Sequence, residues 1–464
     1  MRALRPAPVI IVLTTVLVIL TAGSAVAQYS FDWTFGQQGA VKDMLILEDY
    51  MTHFTNTSAL TDSFRITLVK DMPAFWQATI CEGPICYPPN YTVHEFILGP
   101  GESTNLDFAI TAAVDEGKGT SIVTVESLSN PAVVETNYFS IITSGLDVLN
   151  VDADGGAGYE TYFSDAITST GRTHATWTRD FMGVLTATDL ASFGAVVWSV
   201  GTYGQGLTDA DRSGLAEYVR DGGNLFLTGQ NLTRDFCYPG SPLYSASAHA
   251  WFQDLLGVDY LADNAAASLV NGVPGDPVSN GMILGINGGD GANNNTSPDE
   301  IVTLGNGATA MTYNTGQDAA VRGAFDKGRT FFAAFGFEGL SSSSQRNSVM
   351  GSVLSWITSR VSAVGDDIQP ALINRPFVVP NPFNPQTSVK FEVGGTQAVN
   401  SEVVIYDLRG REIRSLFRGV LEPGPQNMVW NGRDNGGRNL ASGVYLALVK
   451  VAGEARTLKM TLAR

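Results

Sequence analysis

Apolar and polar positions change rhythm along the chain. Over Phe64–Val69, Thr92–Leu98, Leu106–Ile110 and Ser121–Ser127, apolar residues alternate with others, and Gly, Pro, Asn and Asp fall between the runs. A period of two bounded by turn formers marks half-buried strands, which predicts a β-sandwich over residues 28–143. Past residue 145 the period lengthens. Leu146–Phe163 (LDVLNVDADGGAGYETYF) reads as an apolar strand, a turn with two carboxylates and three glycines, and the opening of a helix. Phe193–Val200, Asn224–Thr228 and Arg329–Phe335 are further apolar strands. Between them, Thr208 caps a helix whose first turn carries Asp209 and Asp211 and whose face carries Leu215, Tyr218 and Val219. Gln345–Arg360 reads as a closing helix. Strands alternating with helices predict an α/β unit with a parallel sheet over 145–360, and Gly285–Pro298 carries no strand or helix signal. Residues 361–374 read as a linker, and 375–464 return to strand patterning.

Composition adds a compartment. Arg2 and Arg5, the apolar run Val9–Leu20 and the small-residue site Ala25-Val26-Ala27 make residues 1–27 an expected export leader, with Gln28 starting the mature chain. No later run is long and apolar enough to span a bilayer. The formal charge of -17, with no cluster of Lys and Arg, excludes nucleic acid as a partner. Cys81 and Cys86 flank a Gly-Pro turn, so a small-loop disulfide is expected in an oxidising compartment, and Cys237 is left over. His94 lies in a strand without a second ligand nearby and reads as a packed or solvated histidine.

Three groups carry candidate chemistry. Asp152 and Asp154 leave the first α/β strand at its carboxyl end, and with Glu160 or backbone carbonyls they can hold Ca²⁺, the one cofactor the sequence offers. The alternative is a turn whose acids accept backbone N–H groups, since DxDxDG spacing is missing. Cys237 and His249 stand 12 residues apart in a loop-rich stretch, either as a Cys–His dyad or as structural residues. Asp209, Asp211 and Asp221 read as helix-surface and capping charges.

Resemblances sharpen this picture. Phe54–Ser58, Lys70–Pro73 and Leu98–Ser103 resemble phrases of immunoglobulin-like spacer domains in secreted bacterial proteins. LNVDADGGAGYETYFSDAI, FGAVVWSVG, GLTDADRSGLAEYVRDGGNLFLTGQNL and FFAAFGFEG resemble the glutamine-amidotransferase-like domain, which implies a flavodoxin-like fold. Active members carry a nucleophilic Cys on a strand–helix elbow and a His followed by Glu. Here the elbow reads Thr228-Gly229-Gln230 and the base element reads Phe335-Gly336-Phe337-Glu338, so only Glu338 matches. A ligand crest is therefore expected at Asp152, Asp154, Gly201, Gly229, Gln230, Asn231 and Glu338, with no catalytic residue assigned. At the C-terminus Pro380-Asn381-Pro382, Tyr406-Asp407 with Gly410, Trp430, Gly443-Val444-Tyr445 and Lys459 fall in ordered fragments. Trp430 reads as a core anchor, Asp407–Gly410 as a hairpin turn, and Pro380, Pro382 and Pro385 as an extended lead-in. The pattern resembles the C-terminal type A sorting domain of type IX secretion, related to the immunoglobulin-like domain of the flagellar hook-capping protein. That resemblance implies the secretion machinery as partner and passage to the cell surface or beyond. The sequence thus reads as an exported multi-domain protein: a β-sandwich, a flavodoxin-like α/β unit for binding or scaffolding, and an Ig-like tail. The alternative is a secreted hydrolase, or the accessory part of a peptidase-like protein, with its site in the α/β crevice.

Overall fold

The computed structural model describes residues 29–325, 327–359, 373–393, 398–407, 410–451 and 454–464. The leader expected at 1–27, most of the expected linker, and Leu408 and Arg409 of the expected hairpin turn lie outside them.

The first unit is a two-sheet sandwich. One sheet joins Phe31–Phe35, Thr52–Asn56, Ser103–Thr111, Gln77–Glu82 and Ile85–Cys86, with Leu47–Tyr50 added beside Ser103–Thr111. The other joins Gly39–Lys42, Val134–Thr143, Lys118–Ser127, Asp62–Asp71 and Val93–Leu98. Alternation sends Phe64, Ile66 and Leu68 inward, into one core with Phe54 and Phe108 of the facing sheet and Phe139 of their own. Cys81 and Cys86 are opposite each other in a hairpin and form a disulfide. His94 is packed, its Nε2 2.8 Å from Glu82 Oε2.

The middle unit is built on five parallel strands, β1 (Val148–Asp152), β2 (His174–Thr178), β3 (Ala195–Ser199), β4 (Asn224–Thr228) and β5 (Arg329–Ala333). Their spatial order is β2-β1-β3-β4-β5. Every residue of β1, β3 and β5 is buried, because helices cover both faces. Glu160–Thr168 and Ser343–Thr358 pack on one face, Asp209–Arg220 and Leu232–Cys237 on the other.

The expected parallel sheet is a mixed one. Asp318–Ala324 pairs antiparallel with β5, and Gly307–Tyr313, Leu269–Gly272 and Ile283–Gly285 extend it. Glu300–Thr303 and Val258–Ala262 branch from Asp318–Ala324. These strands are short and bulged, so their sequence shows no long apolar run to announce them.

The sandwich abuts this unit closely. Val41 and Ile142 join the core beneath β1, Gly39 sits where a Cβ would lie 2.7 Å from the Trp177 ring, and Lys118 Nζ donates to Thr176 O at 2.9 Å.

The tail is a second sandwich. Ile373–Val379, Thr387–Val393 and Gly424–Trp430 form one sheet; Glu412–Leu421, Val399–Asp407, Gly443–Val451 and Glu454–Leu462 form the other. Two expectations need correction here. The first strand begins inside the predicted linker. Pro380, Pro382 and Pro385 connect the first two strands rather than leading into the unit, because the stretch before them pairs antiparallel with the stretch after them.

Candidate functional site

Between β1 and β3 the chain order reverses, and the loops leaving their carboxyl ends diverge. Ligands of open α/β sheets settle at such a point. Asp152 ends β1 there. Asp154 follows in a turn that Gly155, Gly156 and Gly158 permit through positive φ values of 74°, 81° and 78°. Glu160 opens the next helix. Carboxylate oxygens of Asp152, Asp154 and Glu160 all lie within 4.8 Å of one another, with both aspartates buried and Glu160 half-buried.

The two aspartates differ. Asp154 Oδ1 accepts Ala157 N–H at 2.7 Å and Oδ2 accepts Tyr159 N–H at 3.1 Å, so it performs the turn and capping role. Asp152 is 6% exposed, and among the described residues its Oδ1 has no hydrogen-bond donor. Burial first, then the charges of Asp154 and Glu160, push its carboxyl up to about 7. Lys118, held near the cluster by the sandwich, feels the attraction of Asp152 and Glu160, but burial dominates and lowers its pKa. Nothing in the spacing of the chain signals this lysine, which arrives from another unit.

Of the remaining crest residues, Gly201, Gly229, Gln230 and Glu338 are buried and Asn231 is half-buried. A Cβ on Gly201 would approach Tyr159 and Asp154, and one on Gly229 would come within 2.3 Å of Val200 Cγ2. Gln230 is 1% exposed. Its Oε1 accepts Thr296 N–H and Ser297 N–H, each at 2.9 Å, and its Nε2 donates to Asn294 O. The elbow side chain therefore clamps the loop over residues 285–298 and is not free to meet a substrate. Asn231 takes the left-handed conformation at φ 64° and starts Leu232–Cys237. Glu338 is fully buried, with Oε1 accepting Asn294 Nδ2–H at 2.6 Å and Oε2 without a donor among the described residues. Burial raises its pKa. A Cβ on Gly336 would lie 2.3 Å from Glu338 Oε1, so no imidazole fits at that position as it stands. The apolar surroundings of Gln230 and Glu338 draw the polar loop down as their hydrogen-bond partner.

Of the helix acids, Asp209 is exposed. Asp211 is buried in a capping box with Thr208 and bonds Arg179 at 2.8 Å, which surface charge alone does not describe. Beside them a cavity of about 570 Å³ opens between Arg179, Tyr203, Thr208, Arg212, Phe236 and Leu243. Cys237 and His249 converge, joined by Asp259, which the sequence did not single out.

In the tail the motif residues hold the fold. Asn381 donates to Lys459 O at 3.0 Å and accepts from Thr461 N–H at 2.8 Å, tying the proline-rich connection to the last strand. Asp407 accepts Arg411 N–H and Nε–H, and Gly410 turns at φ 75°. Trp430 is 1% exposed, packs on Phe383 and Tyr445, and donates to Arg433 O. Tyr445 OH donates to Ala441 O. Tyr406 on its strand, Lys459 and Gly443 complete the pairing of the four-stranded sheet.

These features are what a family comparison reads. Residues 380–454 match the FlgD Ig-like domain family. No curated protein matches the chain. Among solved structures, the N-terminal domain of PorA is 14% identical over 25% of this chain and 98% of its own, at a TM-score of 0.20. PorZ of Porphyromonas gingivalis, an essential bacterial surface component of the type-IX secretion system, is 26% identical over 19% of this chain and 12% of its own, at 0.15. The exo-β-1,4-mannosidase Op5Man5 from Opitutaceae bacterium strain TAV5 is 14% identical over 46% of this chain and 35% of its own, at 0.30. Each likeness is confined to part of the chain. Among the described residues no helix is long and apolar enough to cross a membrane.

Proposed function

We propose that this is an exported surface or extracellular protein whose α/β unit binds Ca²⁺ at the β1 crest and whose Ig-like tail serves as the secretion or attachment module. The observation that carries the first part is Asp152: a buried carboxylate whose Oδ1 has no donor among the described residues, facing two further acids inside 4.8 Å. Oxygen-rich, anionic clusters of this kind suit a hard divalent cation, which supplies the charge that the local N–H groups do not. The order β2-β1-β3-β4-β5 supports a flavodoxin-like reading of the parallel half and makes its crest the place to look.

A binding role is favoured over hydrolysis because the elbow amide is committed to the loop and the base position is glycine beside a carboxylate. The FlgD Ig-like match supports the tail assignment.

Calorimetry on the full mature chain tests the metal. CaCl₂ is expected to give stoichiometric heat with the wild type, and Asp152→Asn/Glu160→Gln to abolish it while Asp154 still holds the turn. A wild type that gives no heat would sink the calcium reading.

A further inference from the structure

On the far side of β4 lies a second constellation, of different chemistry. Cys237 ends the helix Leu232–Cys237, His249 lies on Ala246–Trp251, and Asp259 lies on the strand Val258–Ala262. Their donor atoms all fall within 4.8 Å of one another. We propose that Cys237, His249 and Asp259 form a binding site for a borderline-soft divalent transition metal, Zn²⁺ first, with a fourth position open to solvent.

Four observations carry this. First, the donor set is thiolate, imidazole and carboxylate, which is zinc chemistry and not calcium chemistry. Ligand atoms around tetrahedral zinc stand about 3.5 Å apart, so shifts on the order of 1 Å bring these three into place. Second, the surroundings are those of supported ligands. Gln253 Nε2 donates to Asp259 Oδ2 at 2.8 Å, and Tyr260 N–H donates to Asp259 Oδ1 at 2.7 Å while also facing the Cys237 sulfur. Partners of this kind orient first ligands. Third, the thiol is buried at 3% exposure, whereas the side chains of His249 and Asp259 are 25% and 30% exposed, which leaves a path for an ion from solvent. Fourth, charge calls for a cation. Asp259 bonds His249 Nε2 at 2.8 Å, and Asp299, fully buried with no donor on Oδ1 among the described residues, accepts Thr233 Oγ1–H and Arg234 N–H from the same helix that carries Cys237.

A nucleophilic Cys–His pair is the competing use of these residues. It needs a sulfur that a substrate can reach and an imidazole nitrogen free to take its proton, yet Cys237 is 3% exposed and His249 Nε2 is engaged by Asp259 Oδ1 at 2.8 Å and by Gln253 Nε2 at 3.0 Å. A divalent ion needs no substrate access: on binding, the thiol proton leaves to solvent and the sulfur ligates the ion directly.

Because Cys81 and Cys86 are joined to each other, Cys237 is the single thiol in the chain. The wild-type protein therefore suffices as its own test. Co²⁺ titrated into the metal-stripped full-length chain is expected to raise a thiolate-to-cobalt charge-transfer band in the near ultraviolet, saturating at one equivalent. Zn²⁺ should bleach it, and a large excess of Ca²⁺ should leave it intact. Cys237→Ser should remove the band, and Asp259→Asn should weaken Zn²⁺ by at least about tenfold. A wild type that shows no charge-transfer band overturns the proposal, as does a band that survives in folded Cys237→Ser.

Discussion

Asp299 is one of the residues through which pH acts on this fold. Its Oδ2 accepts Thr233 Oγ1–H at 2.7 Å and Arg234 N–H at 2.9 Å, yet burial outweighs both and pushes the carboxyl up to about 7 from the ordinary 3.8. An acid raised on folding takes up a proton, so its favourable contribution is full below pH 3.8 and is lost as pH rises through about 7. The loss is on the order of 4 kcal/mol at most. Asp299→Asn keeps an acceptor for both donors and should flatten the fall in melting temperature between pH 4 and 7.5; parallel profiles for variant and wild type would refute this. At Gly229 the prediction is steric. Gly229→Ala drives a methyl into Val200, so denaturant unfolding should show a loss of about 1–3 kcal/mol. Neither residue is legible as such in the sequence: Asp299 sits among polar neighbours with no periodic context, and a glycine at a strand–helix elbow announces a turn and not the packing at Gly229.

At the scale of elements, the strands and helices with strong periods were legible. β1 with its glycine turn, the Thr208 cap, β4, β5 and the closing helix all sit where apolar runs and capping residues place them. The antiparallel strands between 258 and 324 were not, since three to seven residues with Gly, Asn and bulges lack a decisive period. Long-range partners were equally hidden: nothing in sequence spacing brings Asp259 to Cys237, or Asn294 to Gln230 and Glu338. The tail shows the opposite case, a motif whose legibility comes from structural duty. Asn381 joins two elements by two hydrogen bonds at the sheet edge, so Asn381→Ala should cost about 1–2 kcal/mol. Amide hydrogen exchange over Glu454–Leu462 should accelerate by roughly tenfold as the strand loses its tie; unchanged exchange would show the asparagine to be dispensable.

For the whole molecule, the first sandwich and the α/β unit share a core through Val41 and Ile142, and only Ser144 to Asp147 separate their strands. They should therefore unfold in one transition, whereas the tail has its own core around Trp430. The secretion reading belongs at this scale too. A reporter fused ahead of residues 373–464, which keep the whole first strand, and given a leader should reach the medium or surface of a host with type IX secretion; retention in the periplasm would reduce the tail to a stabilising sandwich.

The placing of the three cysteines has a consequence for disulfide exchange. An unpaired thiol usually threatens an oxidised pair by attacking it and reshuffling the bond. Here the pair closes on itself five residues apart, so it can join before the rest of the chain is assembled. The third sulfur is then enclosed in a different unit with its reactive anion disfavoured, out of reach as attacker and as target. An odd cysteine count thus does not commit the chain to a covalent partner.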